Sequence, residues 1–216
     1  MKVLRLIASL ALLPLIHACS HAREGGELRL KHEVTVTTPQ GDRTFTSVVS
    51  MSGYQTYNYG AGTSGWGGIT CRLTGNAVRV VLDDKDYYFL LTDRGTTAAW
   101  SQIDLIKKFF GLPNGPNDAS WVDQWKSLAA SNLGFAIPRS EYPTIAVMPH
   151  DGWMDDARIV TLDEAEQQGL HIKSYRLQIT QEPVGPDLKI RYRPADARDH
   201  RMTIGREAFT AVNATA

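Results

Sequence analysis

The sequence predicts an α+β protein, mostly antiparallel β-sheet of meander or sandwich type, with a helical pair inserted in it. Three observations carry that prediction. Apolar and polar residues alternate with a period of two over much of the chain, the pattern of strands with one wet face. The connections between these runs are short and rich in Gly, Pro, Asn and Asp, which suits antiparallel neighbours. From about residue 97 to 134 the apolar spacing changes to three and four, the period of a helix.

In LRLKHEVTVTT, Leu28, Leu30, Val34 and Val36 alternate with Arg29, Lys31, Glu33, Thr35 and Thr37. His32 falls on the apolar face and reads as a core histidine. Pro39-Gln40-Gly41-Asp42 supplies a turn, since Pro presets φ and Gly accepts positive φ. The return strand sets Phe45, Ser47, Val49 and Met51 on one face, which makes a hairpin. A second meander follows, with strands at 68–73, 77–82 and 87–91 and turns at 74–76 and 83–86. Cys71 lies between Ile69 and Leu73 on the inward face and reads as a small buried hydrophobe.

Trp100, Ile103, Ile106, Phe109 and Phe110 mark the first inserted helix, ended by Gly111 and Pro113. Ser120 and Asp123 have the form of a capping box. Val122, Trp125, Leu128 and Ala129 then make a second amphipathic face that closes near Gly134. Strands at 144–148 and 157–162 form a hairpin. Residues 163–169 make about two helical turns, with Asp163 as N-cap and Gly169 past the end. Tyr175, Leu177 and Ile179 point inward from the next strand, 188–192 reads as a last strand, and the Ala/Thr-rich tail after 207 is expected to be loose.

The N-terminus predicts export. Lys2 and Arg5 precede an uncharged run of 11 residues, Leu6 to Ile16. A secretory apolar core of about 7–15 residues has that length, and a spanning helix needs about 20. Two cleavage patterns compete. Ile16-His17-Ala18-Cys19 resembles a bacterial lipobox, which makes residues 1–18 the signal peptide and Cys19 the site of lipidation. Ser20-His21-Ala22 offers an ordinary small-x-small site, with residues 1–22 removed. Either cleavage leaves Cys71 without an intramolecular partner. Residues 19–216 are then expected to form a single β-rich domain with its helical insert and loose tail. A hydrophobic content of 43% is enough to fill one core in a domain of this size.

Chemistry is harder to find. Lys+Arg and Asp+Glu both number 23, so there is no global field for nucleic acid. Gly60-Ala61-Gly62-Thr63-Ser64-Gly65 matches a dinucleotide fingerprint, but no helix follows to receive a phosphate, and no cofactor is expected. From Gly53 to Gly68 six glycines are interleaved with Tyr54, Tyr57, Tyr59 and Trp66. Rings on a glycine-rich backbone make a possible binding loop, or else fold back on the sheet. His150, Asp151, Asp155 and Asp156 cluster in HDGWMDD, without the spacing of a metal loop, and read as a solvated hairpin tip. No G-x-S-x-G elbow is present, so no catalytic residue and no metal ligand is assigned. The basic stretch 189–206 reads as an ordinary charged strand and loop.

The blocks LKHEVTVTTPQGDRTFTSVVSM, LTGNAVRVVL with YYFLLT, YPTIAVMPHDG, ARIVTLDEAEQQG and YRLQITQEPV resemble a family of exported proteobacterial proteins. These are patterns of strands and turns and cover about half of the chain. The resemblance implies export and brings no activity, cofactor or site residue.

The expected function is therefore that of an exported, lipid-anchored, non-enzymatic accessory or binding protein of the cell envelope. A specific form is an immunity-type protein that neutralises a toxin delivered to the periplasm. The expected partners are the membrane, through the lipid, and a protein of the envelope. Ser20 stands where an Asp would favour the inner membrane, so the outer membrane is the expected site. The alternative is a periplasmic hydrolase whose active site is assembled from dispersed residues.

Overall fold

A long first hairpin organises the chain. The computed structural model describes residues 21–57, 67–92, 97–112, 120–150, 152, 156–186 and 209–215. Strand β1 (His21–Thr38) pairs antiparallel with β2 (Gly41–Tyr57) along its whole length, from His21 opposite Tyr57 to Thr38 opposite Gly41. The alternation seen in sequence explains the face. Leu28, Leu30, Val34 and Val36 of β1 and Val49 and Met51 of β2 are fully buried. Each large aliphatic side chain so buried contributes about 1.5–3 kcal/mol.

Two antiparallel sheets share one apolar core. The first has the order β10-β3-β2-β1-β9-β6, with β3 (Gly67–Asn76), β6 (Gly134–Ala136), β9 (His171–Ile179) and β10 (Thr210–Thr215). The second has the order β4-β5-β7-β8, with β4 (Val78–Leu82), β5 (Lys85–Phe89), β7 (Ile145–Pro149) and β8 (Arg158–Val160). Among the described residues the α-helices are α1 (Ala98–Phe110), α2 (Trp121–Ala129) and α3 (Leu162–Gln167). This is the β-rich α+β architecture that the alternation implied.

The second meander needs correction. Thr74-Gly75-Asn76 is not a hairpin turn, because β3 runs through Asn76 in the first sheet and β4 starts at Val78 in the second. Gly75 has φ +140°, and a Cβ there would lie 2.8 Å from Val49 Cα. The glycine thus serves a close backbone approach at a sheet-to-sheet corner. Asn76 fixes the corner by donating from Nδ2 to the Pro186 carbonyl at 2.9 Å, and the Ala77 amide donates to the Phe209 carbonyl at 2.7 Å.

The loose tail is also corrected. Residues 210–215 form β10, which pairs with the free side of β3, and the preceding Phe209 is fully buried edge-on against Tyr88. Sheet edges demand cover, and an Ala/Thr-rich strand is adequate for that. The expected strand at 188–192 and the basic stretch 189–206 lie outside the described residues.

Helix α1 ends at Gly111 as its sequence implies, and its start is capped by Thr97. Thr97 accepts from the Trp100 amide, and Gly111 closes it with φ 76°. Helix α2 does not use its capping box. Ser120 has helical dihedrals and its hydroxyl accepts from the Gln124 side chain instead. The helix ends at Ala129, and Gly134 opens β6 rather than closing the helix. In α3 the N-cap is Thr161, not Asp163. Thr161 and Glu164 satisfy each other's backbone amides reciprocally, which a cap two residues later could not do.

Helix α2 clamps the start of the first hairpin. Trp121 and Trp125 are stacked with centroids 5.0 Å apart and are fully buried. A Cβ on Gly53 would sit 2.5 Å from Trp121 Cη2, and one on Gly25 would sit 2.7 Å from Trp125 Cδ1. Trp125 Nε1 donates to the Gly26 carbonyl at 3.1 Å. The register of β1 shifts by a bulge at this point.

Candidate functional site

The residues singled out in sequence are only partly brought together. Cys19, Tyr59 and Trp66 lie outside the described residues, as do the Gly60–Gly65 motif, Asp151 and Asp155. Tyr54 and Tyr57 do not belong to a loop. They are on β2, opposite Thr70 and Gly67 of β3. The glycine-rich connection is therefore shorter than 53–68. Gly53 is there because Trp121 packs on it, a structural demand rather than a need for flexibility. Cys71 is fully buried opposite Gly53, and burial pushes its thiol up to about 12. That excludes it as a nucleophile at neutral pH.

A cleft opens beside α1. It holds about 330 Å³, within the range of small-molecule sites, and lies between α1, the end of β5 and the 3₁₀ turn Arg139–Glu141. Helical periodicity builds its wall. Ala99, Ile103 and Ile106 face the core, while Gln102, Leu105 and Lys108 fall on the neighbouring face. Lys108 reaches Glu141 at 2.6 Å, and Asp104 adds a further carboxylate. Gln102 is buried, and its Nε2 donates to the Leu91 carbonyl at 2.9 Å.

Behind Gln102 lies a buried polar pair. His32 and Tyr175 share a hydrogen bond of 2.5 Å between Nδ1 and the hydroxyl. Burial lowers the imidazole from its usual 6.5 to about 4, although the Gln102 amide acts the other way. Burial likewise pushes the Tyr175 hydroxyl far up. Among the described residues, His32 Nε2 and Gln102 Oε1 are buried without a hydrogen-bond partner. His32 is thus the core histidine its alternation implied. With Nδ1 engaged and the ring held neutral, it is a structural prop of the cleft rather than a base within it.

A second polar cluster sits on the smaller sheet. Asp86 of β5 is buried, and Arg79 of β4 donates to its Oδ2 from Nε at 2.9 Å and from Nη2 at 2.5 Å. His150 Nδ1 lies 3.1 Å from Asp86 Oδ1. The hairpin register creates this cluster. Asp83 and Asp84 form the turn, Asp83 with φ 48°, so Lys85 and Asp86 enter the strand. Asp86 therefore belongs to a strand rather than to the expected turn at 83–86. His150 joins it from 64 residues away, and most of the expected HDGWMDD tip lies outside the described residues. Among the described residues no His, Cys, Asp or Glu cluster has metal-binding form. No described helix is long and apolar enough to cross a membrane.

Comparison of the chain with protein-family models, with curated proteins and with solved structures found no match.

Proposed function

We propose that this protein is exported, anchored by lipid at Cys19, and acts at the periplasmic face of the outer membrane as a binding or accessory protein. The N-terminal pattern of Lys2 and Arg5, an apolar run and a Cys supports the address. The likeness to exported proteobacterial proteins is part of the same reading. The cleft beside α1 carries the binding role. Its wall offers an ammonium, two carboxylates and a buried amide, and the imidazole behind them is neutral and engaged. Such groups hold a ligand in place. A protein partner from the envelope, in its specific form a toxin that this chain neutralises, would use the same charges.

Charge reversal at the cleft tests this reading. Lys108→Glu removes the pair with Glu141 and gathers three carboxylates. An exposed pair of this kind is worth about 0–1 kcal/mol, so the melting temperature should barely move. Capture of the partner from envelope extracts should be lost. Equal capture by wild type and variant would reject the cleft as the binding site.

A periplasmic hydrolase is the second reading, and one observation favours it. A carboxylate on Nδ1 fixes the tautomer and orientation of an imidazole, as Asp86 does for His150. Esterase activity that is present in wild type and absent in His150→Ala would establish that reading.

A further inference from the structure

We infer that the end of the first sheet bearing His21, Tyr57 and Gly67 is a bilayer-facing surface, seated end-on against phospholipid headgroups. The inference rests on acylation of Cys19. Its geometry comes from the strand pairing at the start of β1. His21 is already paired with Tyr57, and Tyr57 with Gly67. Ser20 alone separates Cys19 from β1. Two residue steps span at most about 7 Å. A headgroup layer adds only about 5–8 Å per leaflet. Lipid on Cys19 therefore brings the start of β1 into the headgroup region, with no linker to let the domain stand away.

The root of the strand is stiff. Trp125 bears on Gly25 and bonds the Gly26 carbonyl, and Trp121 bears on Gly53 across the hairpin. An orientation imposed at His21 is carried into the sheet rather than lost in a hinge. The long face of the hairpin has little to hold it flat on lipid. Its charges are of both signs and interspersed, with Arg29 paired to Glu27 at 3.0 Å and Lys31 to Glu182 at 2.7 Å. Strong attraction to an anionic surface takes a cluster of basic groups, which this mixed face does not offer. At the far end, Lys173 pairs with Asp42 beside the Thr38–Gly41 turn. At about 3.3 Å per residue, that turn stands up to roughly 55 Å from His21. The domain projects its first turn into the periplasm and keeps the start of β1 on the membrane.

Site-specific quenching tests this orientation. The acylated protein carries Glu24→Cys or Gln40→Cys, both exposed positions. Each is labelled with an environment-insensitive fluorophore on a maleimide, which the buried Cys71 does not compete for. The protein is then placed in phosphatidylethanolamine–phosphatidylglycerol vesicles containing a headgroup spin-labelled lipid. The label at position 24 should lose most of its emission, and the label at position 40 should keep the emission it has in unlabelled vesicles. Equal quenching at both positions, or stronger quenching at 40, overturns the end-on seat while leaving the anchor intact. An unmodified N-terminus by mass spectrometry removes the anchor and this inference with it.

Discussion

Replacing His32 with Asn should flatten the acid side of the stability profile. In the folded protein His32 is held neutral, with burial lowering it to about 4, whereas in the unfolded chain it titrates near the usual 6.5. Between these values the unfolded chain takes up a proton that the folded chain refuses. Stability is therefore lost as pH falls through this window and is retained above 6.5. The full shift of about 2.5 units corresponds to about 3 kcal/mol, of which about 2 kcal/mol is lost between pH 7 and pH 5. Urea denaturation of both proteins at pH 7, 6 and 5 measures the difference. Wild type should lose about 2 kcal/mol more than His32→Asn over that range, whatever stability the variant starts with. Should the variant fail to fold, a proton NMR titration of the wild-type imidazole reads the same quantity. Parallel profiles, or an imidazole titrating near 6.5, would refute the buried neutral histidine.

The remaining predictions concern packing. Cys71 should resist a water-soluble maleimide at pH 8 in the folded protein and react fully in urea, because its thiol is buried and raised to about 12; rapid labelling of the native state would contradict its placement. Gly53→Ala should destabilise by at least about 1–3 kcal/mol, since its new methyl would meet Trp121 Cη2 at 2.5 Å. A thermal melt unchanged from wild type would show that α2 does not clamp the hairpin. Phe209→Ala should lower stability by about 3–5 kcal/mol, the usual loss for a buried ring; a neutral result would return the tail to a loose segment.

What the sequence shows well is local periodicity. The β1–β2 hairpin was legible because Leu28 to Val36 alternate and Pro39-Gln40-Gly41-Asp42 has one plausible use. Helix α1 was legible from the spacing of its apolar face and from Gly111 at its end, while its Thr97 cap went unread. The corner at Gly75 was not, because Gly and Asn signal positive φ and polar bonding without saying whether the chain reverses or changes sheet. Strand β10 was missed for a related reason: its role depends on the open edge of β3, which is far away in sequence. The cleft joins β5, α1 and the 139–141 turn, and the Asp86–His150 contact spans 64 residues. Neither left a trace in sequence, whereas the Arg79–Asp86 pair did. An Arg in β4 and an Asp in β5 become diagonal neighbours once the turn is set at Asp83–Asp84.

The central claim is that lipid at Cys19 holds the domain to the envelope, and the mature N-terminus tests it most directly. Mass spectrometry of the N-terminal peptide from envelope-purified protein should find Cys19 as the first residue, carrying a diacylglyceryl thioether and an acylated amine. An unmodified N-terminus at Arg23, or a chain that still begins at Met1, would contradict the account.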